Sequence, residues 1–166
     1  MREIKIDKVV LNIGCAGDLD KIEKAKKLLE YLTNRKPVVT KSRKRSTFGI
    51  AKGKPVGVKV TLRDNDAYEF LKKAFTAVDN KLKSSQINGG NFSFGVKEYI
   101  DISGVKYRHD IGMLGMDVCV LLKRPGFRVN ERRIKRSKVG KKHLITKEET
   151  INWLKEKFNI IIENGS

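Results

Sequence analysis

The chain has little of what catalytic and secreted proteins depend on. Two cysteines, Cys15 and Cys119, occur in 166 residues. They cannot build a disulfide framework, so a reducing, intracellular compartment is the expectation. No CxxC exists, and the two thiols are too distant in sequence to suggest a zinc pair. Only two histidines occur, His109 and His143. Neither has a cysteine, a serine nucleophile elbow or a metal-ligand partner at useful spacing, and both read as exposed or capping side chains. Gly53-Lys54-Pro55 lacks the following Ser or Thr and the upstream glycine of a phosphate loop. Asp18 with Asp20, and Asp64 with Asp66, resemble acidic pairs, but each precedes a helix, where carboxylates cap amides and complement the dipole. No catalytic residue, metal ligand or cofactor is expected. No apolar run approaches the ~20 residues of a membrane helix. The opening MREIKIDKVVLNIG lacks the apolar stretch and small-residue cleavage site of a signal peptide.

Acids are missing from one long stretch. Residues 31–63 hold ten Lys or Arg and no Asp or Glu, and residues 123–142 hold another ten with Glu131 as the only acid. The formal net charge is +18, yet the remainder of the chain carries 17 basic and 18 acidic side chains. The whole excess is therefore confined to two segments. Crowded like charges destabilise a compact state unless a polyanion neutralises them, and counterion release from a nucleic acid makes that neutralisation favourable. A solvated basic face is the bland alternative. An anionic membrane would favour a basic amphipathic helix, but Gly and Pro break both segments.

Hydrophobic periodicity supplies the fold. Ile4 to Ile13 reads as a strand, with Val9, Leu11 and Ile13 on one face and Lys8, Val10 and Asn12 on the other. Asp20, with Glu23 three residues on, is expected to start a helix with the buried stripe Ile22, Ala25, Leu28, Leu29 and Leu32. Val38 to Lys41 forms a short strand. Ser42 to Pro55 has no apolar period and reads as a long exposed basic loop, a feature usually functional or disordered. Val56, Val58, Val60 and Leu62 then alternate with Gly57, Lys59, Thr61 and Arg63, so one face meets a core and the other offers donors to something anionic. Asp64 or Asn65 caps a second helix carrying Ala67, Phe70, Leu71, Ala74, Phe75 and Val78. After the turn Asn88-Gly89-Gly90-Asn91, short strands are expected around Phe92 to Val96, Tyr99 to Ile102 and Asp117 to Lys123. Phe92 and Phe94 are read as core in preference to base-stacking aromatics. Thr146 and Glu149 form a capping box for a last helix carrying Ile151, Leu154 and Phe158, with Trp153 beside them. The sum is one α+β domain over residues 1–166: two layers, an antiparallel sheet with helices on one face, a basic loop at about 42–55 and an extended basic arm at about 123–142.

The ordered motifs VVLNIGCAG, KPVVTKSRKRSTFGIAKGKPVGVKVTLR and GGNFSFGVKEYIDISGVKYRHDIGMLGMDVCVLLKRPGFR resemble the universal ribosomal protein "five" family of the large subunit. The later KRSKVGKKHLITKEE resembles its archaeal and eukaryotic branch, and the short termini look more archaeal. The resemblance implies a non-catalytic, cytoplasmic protein of the large ribosomal subunit. It implies binding to 5S ribosomal RNA and attachment of that RNA in the central protuberance. It also implies contacts with large-subunit rRNA, P-site transfer RNA and neighbouring ribosomal proteins, including the small-subunit head protein "thirteen". By resemblance, Asn12, Lys41, Arg43, Gly57, Lys59, Thr61 and Arg63 face 5S rRNA, with Gly57 allowing close approach. The loop residues Lys44, Arg45, Ser46, Thr47, Phe48, Gly49, Lys52 and Gly53 match the segment that meets transfer RNA. Arg124, Arg128, Arg132, Arg133, Lys135 and Arg136 are expected to extend the RNA contact along the arm.

Overall fold

Alternation of apolar and polar residues commits four segments to one side of a sheet. The computed structural model describes residues 1–45 and 49–163. Its main strands are β1 (Lys5–Gly14), β2 (Val38–Lys41), β3 (Pro55–Leu62), β5 (Ile87–Asn88), β6 (Asn91–Val96) and β7 (Met116–Lys123). They form one antiparallel sheet in the order β2-β3-β1-β7-β6-β5. A separate parallel pair joins β4 (Lys81–Lys83) to β8 (Ile161–Glu163). Ser46, Thr47 and Phe48, expected at the tip of the basic loop, lie outside the described residues.

The inward faces follow the expected alternation. Val9, Leu11 and Ile13 of β1 and Val58, Val60 and Leu62 of β3 are buried, as are Met116, Val118, Val120 and Leu122 of β7. Phe92 and Phe94 of β6 are also buried and stack on Phe75 at 6.3 and 5.2 Å between centroids. They belong to the core, as the sequence suggests. The helices α1 (Leu19–Thr33), α2 (Asp64–Thr76) and α4 (Lys147–Phe158) bring their apolar stripes to this same face. Ile22, Ala25, Leu28 and Leu29 come from α1, and Ala67, Phe70, Leu71, Ala74 and Phe75 from α2. The result is the two-layer α+β arrangement.

Several local expectations change. The α1 cap is Asp18, not Asp20: its carboxylate accepts from the Asp20 and Lys21 amides, because the Gly17 turn delivers Asp18 in extended conformation just ahead of the first helical residue. Neither Asp64 nor Asn65 caps α2. Arg63 occupies that position without a side-chain cap, and Asp66 is drawn instead into an ion pair with Arg35. Val78 falls beyond the end of α2 and is only half-buried. Tyr99 to Ile102 does not form a strand: Tyr99–Asp101 is a 3-10 turn. There the Tyr99 hydroxyl accepts from the Arg108 amide at 2.9 Å, anchoring the following loop. The capping box of α4 stands as expected, with Thr146 and Glu149 exchanging bonds to each other's amides.

Candidate nucleic-acid interface

With three helices on one side, no helix among the described residues covers the opposite face of the sheet, and strand register decides what it displays. Val38, Lys59, Asn12, Asp117 and Gly95 line up as one row across β2, β3, β1, β7 and β6. The next row holds Thr61, Val10, Cys119 and Ser93. A third holds Lys8, Leu121, Asn91 and Asn88. Lys59 and Thr61 are exposed and Asn12 is half-buried, so three residues that the family resemblance assigns to 5S rRNA share one open surface. Strand pairing brings them together across nearly fifty residues of sequence.

Register also sets the basic hairpin and the basic arm at opposite ends of this face. Gly14 pairs with Gly57 at one end of β1, where the β2–β3 hairpin projects. Lys5 pairs with Lys123 at the other end, where the arm begins. At about 3.4 Å per residue, the eight residues of β3 span about 27 Å between them. The hairpin cations thus mark one end of the platform, and the arm cations, with Arg63 beside Asp7 and Lys123, mark the other.

The hairpin is more ordered at its base than a free loop. Ser42 donates its amide to the Lys54 carbonyl at 2.9 Å, and Gly53 donates to the Ser42 carbonyl at 2.8 Å. Lys41, Arg43, Lys44, Arg45, Gly49, Lys52 and Gly53 are all exposed beyond or beside that clasp. Two hydrogen bonds fold part of the arm back on itself. Its helix α3 (Arg128–Glu131) is closed by the Ser137 amide donating to the Val129 carbonyl at 3.1 Å, and Arg132 Nε donates to the Lys135 carbonyl at 2.8 Å. Arg128, Arg132, Arg133, Lys135 and Arg136 remain exposed.

A β-bulge latches the arm to the sheet. The β1–β7 register skips at Asp7, and the displaced carboxylate is 13% exposed between Arg63 Nη1 at 3.7 Å and Lys123 Nζ at 3.4 Å. Lys123 also donates to Glu131 at 2.7 Å. That bond, with Asp7 adding to it, holds the Lys123 ammonium above the ordinary lysine range although burial opposes it. Arg63 remains exposed at its outer edge while its guanidinium donates to the Asp7 carbonyl at 3.4 Å.

Two sequence-expected positions take other roles. Arg124 is buried, 6% exposed, and its guanidinium is spent on the protein. Nε donates to the Arg2 carbonyl, Nη1 to the carbonyls of His143 and Leu144, and Nη2 to Glu149 at 2.7 Å. It ties the arm to α4 and to the segment preceding β1, and offers no exposed face to RNA. Gly57 is buried as well. A Cβ there would lie 2.5 Å from the Ile13 carbonyl oxygen and 3.2 Å from Thr40 Oγ1, so the β1–β3 approach itself demands glycine. Asp117 was not singled out from sequence. Only register shows that it sits between Asn12 and Gly95 on the open face, where its charge adds to burial in raising the Cys119 thiol.

No cluster of three or more His, Cys, Asp or Glu able to hold a metal occurs among the described residues. Among the same residues, no helix is long and apolar enough to cross a membrane. The arrangement is a platform protein: an open antiparallel sheet backed by helices, with cations at both ends and polar donors between. Two family models match it in succession, "Ribosomal protein L5" over residues 1–50 and the C-terminal model of the same ribosomal family over residues 55–153. Proteins named "Large ribosomal subunit protein uL5" are similar over almost the whole chain. That of Archaeoglobus fulgidus is 48% identical, covering 98% of this chain and 92% of its own. That of Sulfolobus acidocaldarius is 47% identical over 99% and 94%, and that of Nanoarchaeum equitans 49% identical over 98% and 97%. The chain belongs to the ribosomal protein L5 family, in its archaeal form, a family of structural ribosomal proteins and not of enzymes. The two matched segments interleave in space, because β1 from the first lies between β3 and β7 from the second.

Proposed function

We propose that the protein is a structural constituent of the large ribosomal subunit that binds 5S rRNA on the open face of its sheet and helps hold that RNA in the central protuberance. The family gives the coarser part, a large-subunit ribosomal protein with rRNA and ribosomal-protein partners. The observation that carries the finer part is the placement of Lys59, Thr61 and Asn12 on a face that no helix among the described residues covers, flanked by the basic hairpin and the basic arm. A rigid sheet presenting amide and hydroxyl donors suits sugar and backbone contacts on folded RNA, and the terminal cations suit its phosphates. In this reading Lys41, Arg43, Lys59, Thr61, Arg63 and Asn12 meet 5S rRNA, while Arg128, Arg132, Arg133, Lys135 and Arg136 engage phosphates at the arm end. Gly57 and Arg124 act by shaping the platform.

The basic segment 44–53 is assigned to P-site transfer RNA, and the family resemblance adds the small-subunit head protein "thirteen" as a neighbour without assigning residues to it. Its support is the family resemblance together with the exposed cations beyond the Ser42–Gly53 clasp. The test is equilibrium binding to intact 5S rRNA and to an unstructured oligonucleotide of equal length, over a range of salt. Binding that prefers folded 5S rRNA and weakens by roughly 10³-fold or more between 50 and 200 mM salt supports the reading, as six or more phosphate contacts require. Equal affinity for both RNAs, or a flat salt response, refutes it.

A further inference from the structure

The open face is not uniform. A depression of about 480 Å3 runs from β1 across β7 and β6 to β5, within the size range of small-ligand clefts, about 300–1,000 Å3. Its floor is apolar. Val10 and Leu121 are half-buried, and the exposed Cys119 lies between them in the two adjoining rows. Burial, with Asp117 nearby, pushes the Cys119 thiol up, so the floor stays uncharged at neutral pH. The rim is built of uncharged polar groups: Asn88, Asn91 and Ser93 from β5 and β6, and Ser85 and Gln86 from the 3-10 turn Ser84–Gln86 that walls one side. The Gln86 side-chain oxygen is already held by the Lys83 amide at 2.9 Å, which leaves its NH2 as a donor. Lys8 is the one charged residue of the lining.

With Lys8 as the single cation among the lining residues, the depression suits a phosphate less well than the basic hairpin and arm do. What fits an apolar floor with an amide rim is a flat, uncharged group with donors and acceptors on its edge. The neighbouring rows connect it directly to β3, because Thr61 continues the Val10–Cys119–Ser93 row. We propose that this depression seats one unpaired nucleobase of the bound RNA, its face on Val10, Cys119 and Leu121 and its edge hydrogen-bonded by Asn88 and Asn91. The inference rests on the reading of the open face as the RNA surface and adds a base-specific contact to it. Folded RNA is read for sequence chiefly through unpaired bases splayed from loops and bulges, so the depression is where this platform distinguishes one RNA from another.

The test uses full-length protein and 5S rRNA. Cys119→Trp fills the depression, and the double variant Asn88→Ala/Asn91→Ala empties its rim. All three positions are exposed, so urea midpoints should match the parent. Each variant is expected to weaken 5S rRNA binding by about tenfold or more, the scale of one base-specific interaction, while the slope of log affinity against log salt stays unchanged because every phosphate interaction is kept. Ultraviolet cross-linking of 5S rRNA carrying 4-thiouridine is expected to join peptide 116–123 to a single unpaired nucleotide. If Cys119→Trp proves unstable, the double variant and the cross-link decide. Parental affinity in the double variant, or cross-links from this peptide only to paired nucleotides, overturns the proposal. If Lys59→Ala and Arg63→Ala weaken binding while the depression variants do not, the nucleobase seat falls and the RNA face stands. If none of the four changes matters, both fall.

Discussion

Arg124 and Glu149 form the pair that closes the arm onto the body: Nη2 donates to Oε1 at 2.7 Å, with the arginine side chain 7% exposed and the carboxylate 40% exposed. The same guanidinium holds the carbonyls of Arg2, His143 and Leu144. Removing it leaves three carbonyls without a donor. Arg124→Ala is therefore expected to destabilise the fold by about 2–3 kcal/mol, the order for hydrogen bonds to a charged group, as a lower urea midpoint. The salt slope for RNA binding by the folded protein should be unaltered. A change of one unit in that slope, without loss of stability, would place Arg124 on RNA instead.

This pair also has a pH signature. The Thr146 amide, first, and then the Arg124 guanidinium hold Glu149 below the ordinary glutamate range. A folded-state value below the unfolded one means that the stabilisation is complete above the unfolded glutamate pKa and disappears as pH falls through the folded value. Acid titration of stability should show the parent losing more than Glu149→Gln below about pH 4.3, the ordinary glutamate value. Above about pH 6 the difference between the two should be constant. Because the carboxylate is partly exposed, the difference should shrink at high salt.

The close approach of β1 and β3 makes Gly57 a packing requirement. Gly57→Ala places a methyl against the Ile13 carbonyl oxygen and should cost about 1–3 kcal/mol, the order for overpacking a tight site. Gly140, where a Cβ would meet nothing within 4 Å, serves as the control: Gly140→Ala should stay within about 0.5 kcal/mol. Urea melts of the two variants check this, and equal stability would mean that the strands can part without cost.

Much of the platform was legible from sequence, and the misses share a cause. Alternation along single segments identified the buried Val58, Val60 and Leu62 and the exposed Lys59 and Thr61, because period two needs no knowledge of the partner strand. The Thr146–Glu149 box was legible for the same reason, being a bond between residues three apart. What depends on pairing between distant segments was not. The Asp7 bulge, Asp117 on the open face and the burial of Gly57 arise from register between β1, β3 and β7. Arg124 sits in a basic run, and only the arrival of α4 and the Arg2 carbonyl turns it inward. A 3-10 turn at Tyr99 stands where a strand was expected, and the buried Tyr99 hydroxyl accepts from the Arg108 amide nine residues on, a contact that alternation along one segment does not reveal.

The arm should act through charge alone. Arg132 and Arg133 are exposed, so the double change Arg132→Ala/Arg133→Ala is expected to leave stability within about 0.5 kcal/mol. It should lower the magnitude of the log affinity–log salt slope for 5S rRNA by about two units, at about 0.9 for each phosphate no longer neutralised. Titrations at four or five salt concentrations measure it. An unchanged slope would mean that the arm end of the sheet does not reach phosphate.

The proposed function divides β3 and its C-terminal edge into two faces, with Val60 on the core side and Thr61 and the adjoining Arg63 on the side proposed for RNA. The most direct measurement pairs a urea melt with a 5S rRNA titration for Val60→Ala, Thr61→Ala and Arg63→Ala. Val60→Ala should lose about 1–3 kcal/mol of stability. Thr61→Ala should keep stability within about 0.5 kcal/mol and Arg63→Ala should lose no more than about 1 kcal/mol, the order of its exposed ion pair with Asp7, yet each should lose about 1–3 kcal/mol of RNA affinity. Only Arg63→Ala should reduce the salt slope, by about one unit. Normal folding together with parental 5S rRNA affinity in both Thr61→Ala and Arg63→Ala would show that the open face is not the RNA surface.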